Sequence, residues 1–339
     1  MIVSCDEPEI VVTDIVHPDG AITRRIEMKN YTNKFDISDI QVPFDTTWTV
    51  RDSIELYSNN SGTDFDTIWI KRAEKLFKSV DELNLSYIAD SGSNREAVRH
   101  AEFKKTFKWF TTKYTFSEVV GKRMDNGYPV SDFMNEEELK WFFSPDFLTG
   151  QMKEGPDSLK YRALEDSLNR KRETWILKCI ASEWSSEFVK LTEGKAAPDV
   201  SKESLKARED ELVKLIGSKG DSFDSLWNNG IFLREFLGME TGQKLQAEAD
   251  SAASLVTGKL FFNFDEYNLR IIMPGKVTLT NGFTDSTGAT LWQVRSDLFL
   301  SEPYIMKAES KTPNKWASIV TGIFLLMVAG GITFIIIRK

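Results

Sequence analysis

Histidine and cysteine are nearly missing from this chain: its 339 residues hold only His17, His100, Cys5 and Cys179. Two cysteines exclude a disulfide framework and any cysteine-based zinc site. His17 precedes a turn proline and His100 sits in the polar stretch Arg99-His100-Ala101-Glu102, positions of solvated residues rather than catalysts. An excess of positive charge is also absent. The net charge of -8 leaves no basic footprint for nucleic acid. No like-charge block is long enough to be an interaction tail, and there is no internal repeat or low-complexity tract. No serine occupies a Gly-x-Ser-x-Gly elbow, and no glycine-rich nucleotide cradle occurs. Asp64-Phe65-Asp66 and Glu136-Glu137-Glu138 lack the alternating oxygens and turn glycine of a calcium loop. Catalytic carboxylate pairs cannot be told apart among 51 acids. The expectation is a protein that binds or scaffolds, not an enzyme, with no catalytic, cofactor or metal residues.

What the chain does contain is a long apolar run. Trp316 to Ile337 carries no charge over 22 residues, enough at 1.5 Å per residue to cross a hydrocarbon core of ~30 Å. Lys311 and Lys315 precede it, Arg338 and Lys339 follow, and Trp316 stands where an interfacial aromatic belongs. The run predicts one transmembrane helix, anchored between Trp316 and Ile337. Lys307, Lys311 and Lys315 on one side rival Arg338 and Lys339 on the other, so charge does not decide the orientation.

The N-terminus bears on that question. Ile2-Val3-Ser4-Cys5 resembles the lipobox of bacterial lipoproteins, in which the cysteine is acylated. A complete signal has a basic and an apolar region upstream, and only four residues precede Cys5. Either the start lies further upstream and Cys5 is lipidated, or Met1 is the start and Cys5 is an ordinary residue. The first alternative implies a bacterial inner-membrane lipoprotein with its bulk extracytoplasmic, and Asp6 resembles the mark for inner-membrane retention. The second implies a tail-anchored cytosolic protein. The organisation expected is residues 1–5 as a truncated lipoprotein signal, 6–311 as the extracytoplasmic domain and 312–339 as the span and tail.

Periodicity predicts an α+β domain. Glu9 to Lys29 reads as a hairpin around His17-Pro18-Asp19-Gly20, and Thr46 to Leu56 as a strand. Ile68 to Leu83 reads as a helix from the spacing of Ala73, Leu76, Phe77, Val80 and Leu83. Glu102 to Val120 reads as one strand with a bulge near Phe107–Phe110. Helices are expected within 131–256: Asn135–Phe143 with an N-cap and three glutamates in its first turn, Asp157–Leu191, Ser201–Ile216 closed by Gly217, Ser222–Leu237 and Gly242–Val256, with a linker at Gly194–Ser201. Strands return at Leu260–Phe264, Leu269–Met273, Lys276–Thr280, Thr290–Val294 and 303–310. Strands from both ends are expected to build one antiparallel sheet, with the helical block inserted. Cys179, among Ile176, Leu177, Ile180 and Trp184, is expected in the core. Nine Trp and 23 Phe fill that core or line an apolar pocket.

Pro274-Gly275-Lys276-Val277, then Asn281-Gly282, then Trp292, resembles the Pro-Gly-x-Val…Asn-Gly…Trp pattern of LppM-type domains, bacterial envelope lipoproteins that end in one transmembrane helix. Their first strands also form a hairpin around an Asp-Gly turn, as at Asp19-Gly20. The resemblance implies an envelope lipoprotein that binds lipid or glycolipid, and it brings no catalytic residues. Read from the residues alone, Gly275 and Gly282 are turn glycines and Trp292 is core. The competing expectation is a scaffold that presents the 157–191 helix to an envelope protein partner.

Overall fold

The architecture was analysed in a computed structural model, which describes residues 8–35, 46–58, 65–89, 97–125, 127–145, 158–195, 200–218, 231–260, 264 and 266–338. The chain is α+β, and its strands form two sheets. β1 (Glu9–Val16) and β2 (Ile22–Asn30) make the expected hairpin. Gly20 takes φ +97°, and Asp19 accepts the amide hydrogen of Ala21 at 3.1 Å. Beyond β2 lie β4 (Phe65–Phe77) and then the edge strand β3 (Thr49–Ser58).

On the other side of β1 lies β7 (Tyr267–Ile272), followed by β10 (Thr290–Val294) and β9 (Phe283–Thr284). β1 and β7 run parallel, since the chain returns from the helical block before adding β7. The second sheet has four antiparallel strands in the order β5 (Arg99–Lys108), β6 (Thr111–Val120), β11 (Tyr304–Pro313) and β8 (Lys276–Thr280). Both sheets therefore combine strands from the two ends of the chain. The single sheet expected from sequence is divided in two.

Three local expectations are corrected. Residues 68–77 belong to β4, and the helix α1 is Val80–Ala89. β4 is hydrogen-bonded to β2 on one side and β3 on the other, and that double ladder overrides the helical spacing. Lysines on its core side hid the alternation: Lys75 lies 4.9 Å from the Phe77 ring and Lys71 5.8 Å from that of Phe35. Residues 102–120 are not one bulged strand but the hairpin β5–β6, which turns at Trp109-Phe110 between the paired Lys108 and Thr111. The slip in alternation near Phe107 is that turn. Leu260 ends a helix rather than starting a strand, and residues 261–263 lie outside the described residues.

Within the helical block, α2 (Glu136–Phe142) starts with the expected cap. Asn135 and Glu138 exchange side chain-to-backbone hydrogen bonds, both at 2.9 Å. α3 (Ser158–Leu191) is 34 residues long and buries Trp175, Cys179, Ile180, Ala181, Trp184 and Phe188. The helix expected over 201–216 is two pieces, α4 (Lys202–Ala207) and α5 (Glu209–Ser218), and Gly217 lies inside the second. The break falls at Arg208, which donates to the Phe236 carbonyl. α6 (Ile231–Leu237) and α7 (Met239–Lys244) lead into α8 (Gln246–Leu260); the start expected at Ser222 lies outside the described residues. α8 packs on α3 and buries Ala249, Ala252, Ala253 and Val256, and the Trp184 indole of α3 donates to the Ala249 carbonyl at 3.4 Å. Burial pushes the Cys179 thiol up to about 11, as for a packed, unreactive cysteine.

The sheets share a core that contains a buried charge cluster. On the inward faces of β1 and β2, alternation places Asp14 and Arg24 among Ile10, Val12, Ile22 and Ile26. Arg24 donates to both Asp14 oxygens at 2.7 and 2.6 Å, and reaches Glu118 of the facing sheet at 2.8 Å. Its third partner is the Tyr87 hydroxyl of α1. One cation thus bridges two carboxylates across the sheet interface. Burial lifts the Asp14 carboxyl above its ordinary value despite the adjacent guanidinium, and the surrounding oxygens hold Arg24 firmly protonated.

Candidate functional site

β11 leads through Asn314 directly into α9 (Lys315–Ile337), one helix long and apolar enough to cross a membrane. Apart from Ala317, none of its residues is buried by protein. Its first turn is nevertheless fastened to the second sheet. The Asn314 amide donates to the carbonyls of Lys108 at 2.7 Å and Trp109 at 3.2 Å, and its backbone N–H to the Phe110 carbonyl at 2.8 Å. Its side-chain oxygen accepts from the Thr112 hydroxyl at 2.9 Å. Asn314 therefore bonds the carbonyls of Lys108, Trp109 and Phe110 around the β5–β6 turn.

The turn carries three aromatic side chains around the helix start. Phe107 stacks on Trp316 with ring centroids 6.1 Å apart, and Trp109 meets the same indole edge-on at 5.3 Å. The Trp109 indole N–H donates to the Thr321 hydroxyl at 3.0 Å, five residues or roughly 7.5 Å further along the helix. Phe107, Trp109, Phe110 and Trp316 all remain about half exposed, at 56, 49, 52 and 50 %. Aromatics exposed together beside the start of an apolar helix have the character of a membrane–water girdle. Sequence reading placed only Trp316 here. Its only sign of the rest was the broken alternation at Phe107–Phe110.

The other residues singled out from sequence fall as follows. Ile337, at the far end of α9, is 78 % exposed, and Cys5 lies outside the described residues. The Pro-Gly and Asn-Gly turns lie at opposite ends of β8, the first against Lys311 and Thr312 of β11 and the second forming a corner with Trp292. Gly275 takes φ +77° with the Lys311 carbonyl 2.5 Å from where a Cβ would stand. A Cβ on Gly282 would lie 2.4 Å from the Trp292 ring. Asn281 accepts from the Trp292 indole at 3.2 Å and from the Lys307 amide at 2.9 Å, and donates to the Ile305 carbonyl at 2.6 Å. Close packing against β11 at one end and against Trp292 of β10 at the other accounts for these turns in structural terms. Glu138 pairs with Lys171 at 2.6 Å, His100 is exposed, and His17 bonds Thr23 at 2.8 Å.

No family model, curated protein or solved structure matches this chain. Among the described residues, no group of three His, Cys, Asp or Glu side chains could hold a metal ion. A cleft of about 490 Å³ in the helical block brings Tyr128 into contact with Glu209 and Lys206, and burial, reinforced by Glu209, raises the phenol. Another, of about 450 Å³, has an apolar floor of Ile176, Leu177, Ile180, Ile216 and Leu300, with the Arg172–Asp297 pair at its rim. On the outer face of the seven-stranded sheet, Arg25, Arg51, Arg72 and Arg270 line a cleft of about 530 Å³. None of these clefts adjoins the start of α9. The feature that couples the domain to the candidate span is the aromatic turn held by Asn314.

Proposed function

We propose that this protein is a single-pass, membrane-anchored protein of the bacterial envelope that binds lipid or glycolipid headgroups at the bilayer surface, without catalysis. The aromatic turn carries this reading. A helix joined to its domain by a free linker would leave the domain to drift, whereas Asn314 and Trp109 fix the sheet to the first turns of α9. The domain would then sit on the membrane in one orientation, facing whatever the headgroup layer presents. In this reading Cys5 is acylated, the bulk is extracytoplasmic at the inner membrane, and the LppM-type resemblance describes the same kind of protein. The apolar cleft beside α3 is the place where an acyl chain would enter, if the ligand is lifted from the bilayer.

One observation favours a second reading. Residues 162–174 of α3 include no buried side chain, while the helix from Trp175 onward is core. Leu168, Lys171 and Arg172 tether this part of the helix to the domain, and its open outer face suits a scaffold that presents it to a protein partner. The two separate in one experiment. The full-length protein is placed in nanodiscs made from a bacterial lipid extract, and the lipids it retains are compared with the bulk. Headgroup binding predicts enrichment of one lipid class, lost in Phe107→Ser/Trp109→Ser/Phe110→Ser. Retained lipid identical to the bulk, with a copurifying protein lost when residues 162–174 are made alanine, would replace binding by scaffolding.

A further inference from the structure

The strand register assembles a row of cations beside the candidate span. Lys311 of β11 pairs with Lys113 of β6 on one side and with Lys276 of β8 on the other. Residues paired across antiparallel strands project from the same face, so three lysines stand side by side on the outer surface of the four-stranded sheet. Lys108 lies on that face, paired with Thr111, and Lys315 opens α9. Only Lys113 of these five has an acidic partner among the described residues, Glu309 at 2.6 Å, which Lys307 also approaches at 3.4 Å. Like charges placed opposite one another destabilise a sheet unless an anion answers them. Composition does not force this cluster, since the chain as a whole is acidic at -8. Next to the row, a groove of about 860 Å³ on this face is lined by Thr106, Thr115 and Ser117 with Lys104, Lys108 and Lys113, and its carboxylates are Asp81, Glu102 and Glu309. Lys311 is three residues from Asn314, at most about 10 Å of strand.

We propose that this lysine row binds the phosphate-bearing headgroups of anionic phospholipids in the membrane that α9 enters. The proposal rests on the reading of the domain as seated on the bilayer. It names the ligand class that such seating brings within reach. A juxtamembrane lysine contributes roughly fivefold to the affinity for an anionic surface, an effect that fades within a Debye length.

The test uses the full-length protein in nanodiscs of equal phosphatidylglycerol and phosphatidylcholine. Lipids retained after gentle release are counted by native mass spectrometry. The wild type is expected to keep phosphatidylglycerol preferentially. Lys113→Gln/Lys276→Gln/Lys311→Gln is expected to lower that preference at least tenfold, and the matching arginine variant to restore it. Quenching of Trp109 by brominated lipid is read in the same samples and is expected to be unchanged. No preference in the wild type, or the same preference in the glutamine variant, overturns the lysine-row site. Loss of Trp109 quenching in the wild type overturns the seated orientation instead. Displacement of phosphatidylglycerol by inorganic phosphate would make this a site for a free anion, and an acidic protein segment captured there would also refute the lipid assignment.

Discussion

Replacing Arg24 with methionine should cripple the fold at neutral pH and do so less in mild acid. Arg24, Asp14 and Glu118 are 1, 0 and 1 % exposed, and the guanidinium supplies hydrogen bonds to both carboxylates. Methionine fills part of the space but leaves two buried carboxylates facing each other. Removing one partner of a buried ion pair costs about 3–5 kcal/mol, which for a domain of this size is on the order of 10 °C in midpoint. Without Arg24 the Asp14 carboxyl, already lifted by burial, rises further above its unfolded value, because the guanidinium that lowers it is gone. The variant therefore keeps its stability below about pH 4 and loses it as pH climbs through the raised value. Denaturation of the full-length protein in detergent, followed from pH 4.5 to pH 7.5 by circular dichroism, should show the deficit widening with pH. Asp14→Asn with Glu118→Gln in the same variant should recover most of the loss. Arg25→Met is the control, because the Arg25–Glu74 pair is 56 and 49 % exposed and contributes less than about 1 kcal/mol. A pH-independent deficit, or one no larger than the control, would refute the role given to this cluster.

Three further outcomes are expected. Cys179, pushed up to about 11 and fully buried, should react slowly with a thiol dye in the native protein and fast in denaturant; equal rates would contradict its burial. Gly282→Ala should cost about 1–3 kcal/mol in thermal unfolding, since the new methyl meets the Trp292 ring at 2.4 Å, and a neutral result would mean that the corner is loosely packed. Palmitate labelling, expressed from an upstream start, should mark the wild type and not Cys5→Ala; no label on the wild type removes the lipoprotein reading in favour of the tail-anchored one.

The fold was legible where local signals agreed with their surroundings. The β1–β2 hairpin, the α2 cap and most of α3 follow from turn residues, Asn135 and apolar spacing. β4 misled because its lysines pack their stems on Phe77 and Phe35, so the charge pattern imitates a helix surface. The division into two sheets was beyond local reading, since only long-range pairing places β7 beside β1 and β11 beside β6. The aromatic turn was hidden for a similar reason. Trp109-Phe110 lacks the Gly, Asn or Pro that marks a hairpin, and its partner Asn314 lies more than 200 residues away. The lysine row is invisible in sequence because Lys113, Lys276 and Lys311 come from three separate segments.

Everything proposed for this protein depends on the β5–β6 turn meeting the bilayer. The most direct measurement is fluorescence quenching of the full-length protein in nanodiscs by phospholipids brominated at graded depths, compared with Trp109→Phe and Trp316→Phe. Both substitutions should remove quenchable emission, with Trp109 and Trp316 located at the shallow end of the acyl region. If Trp109→Phe leaves the quenching unchanged while Trp316→Phe reduces it, the helix alone touches the membrane and the seated domain is wrong.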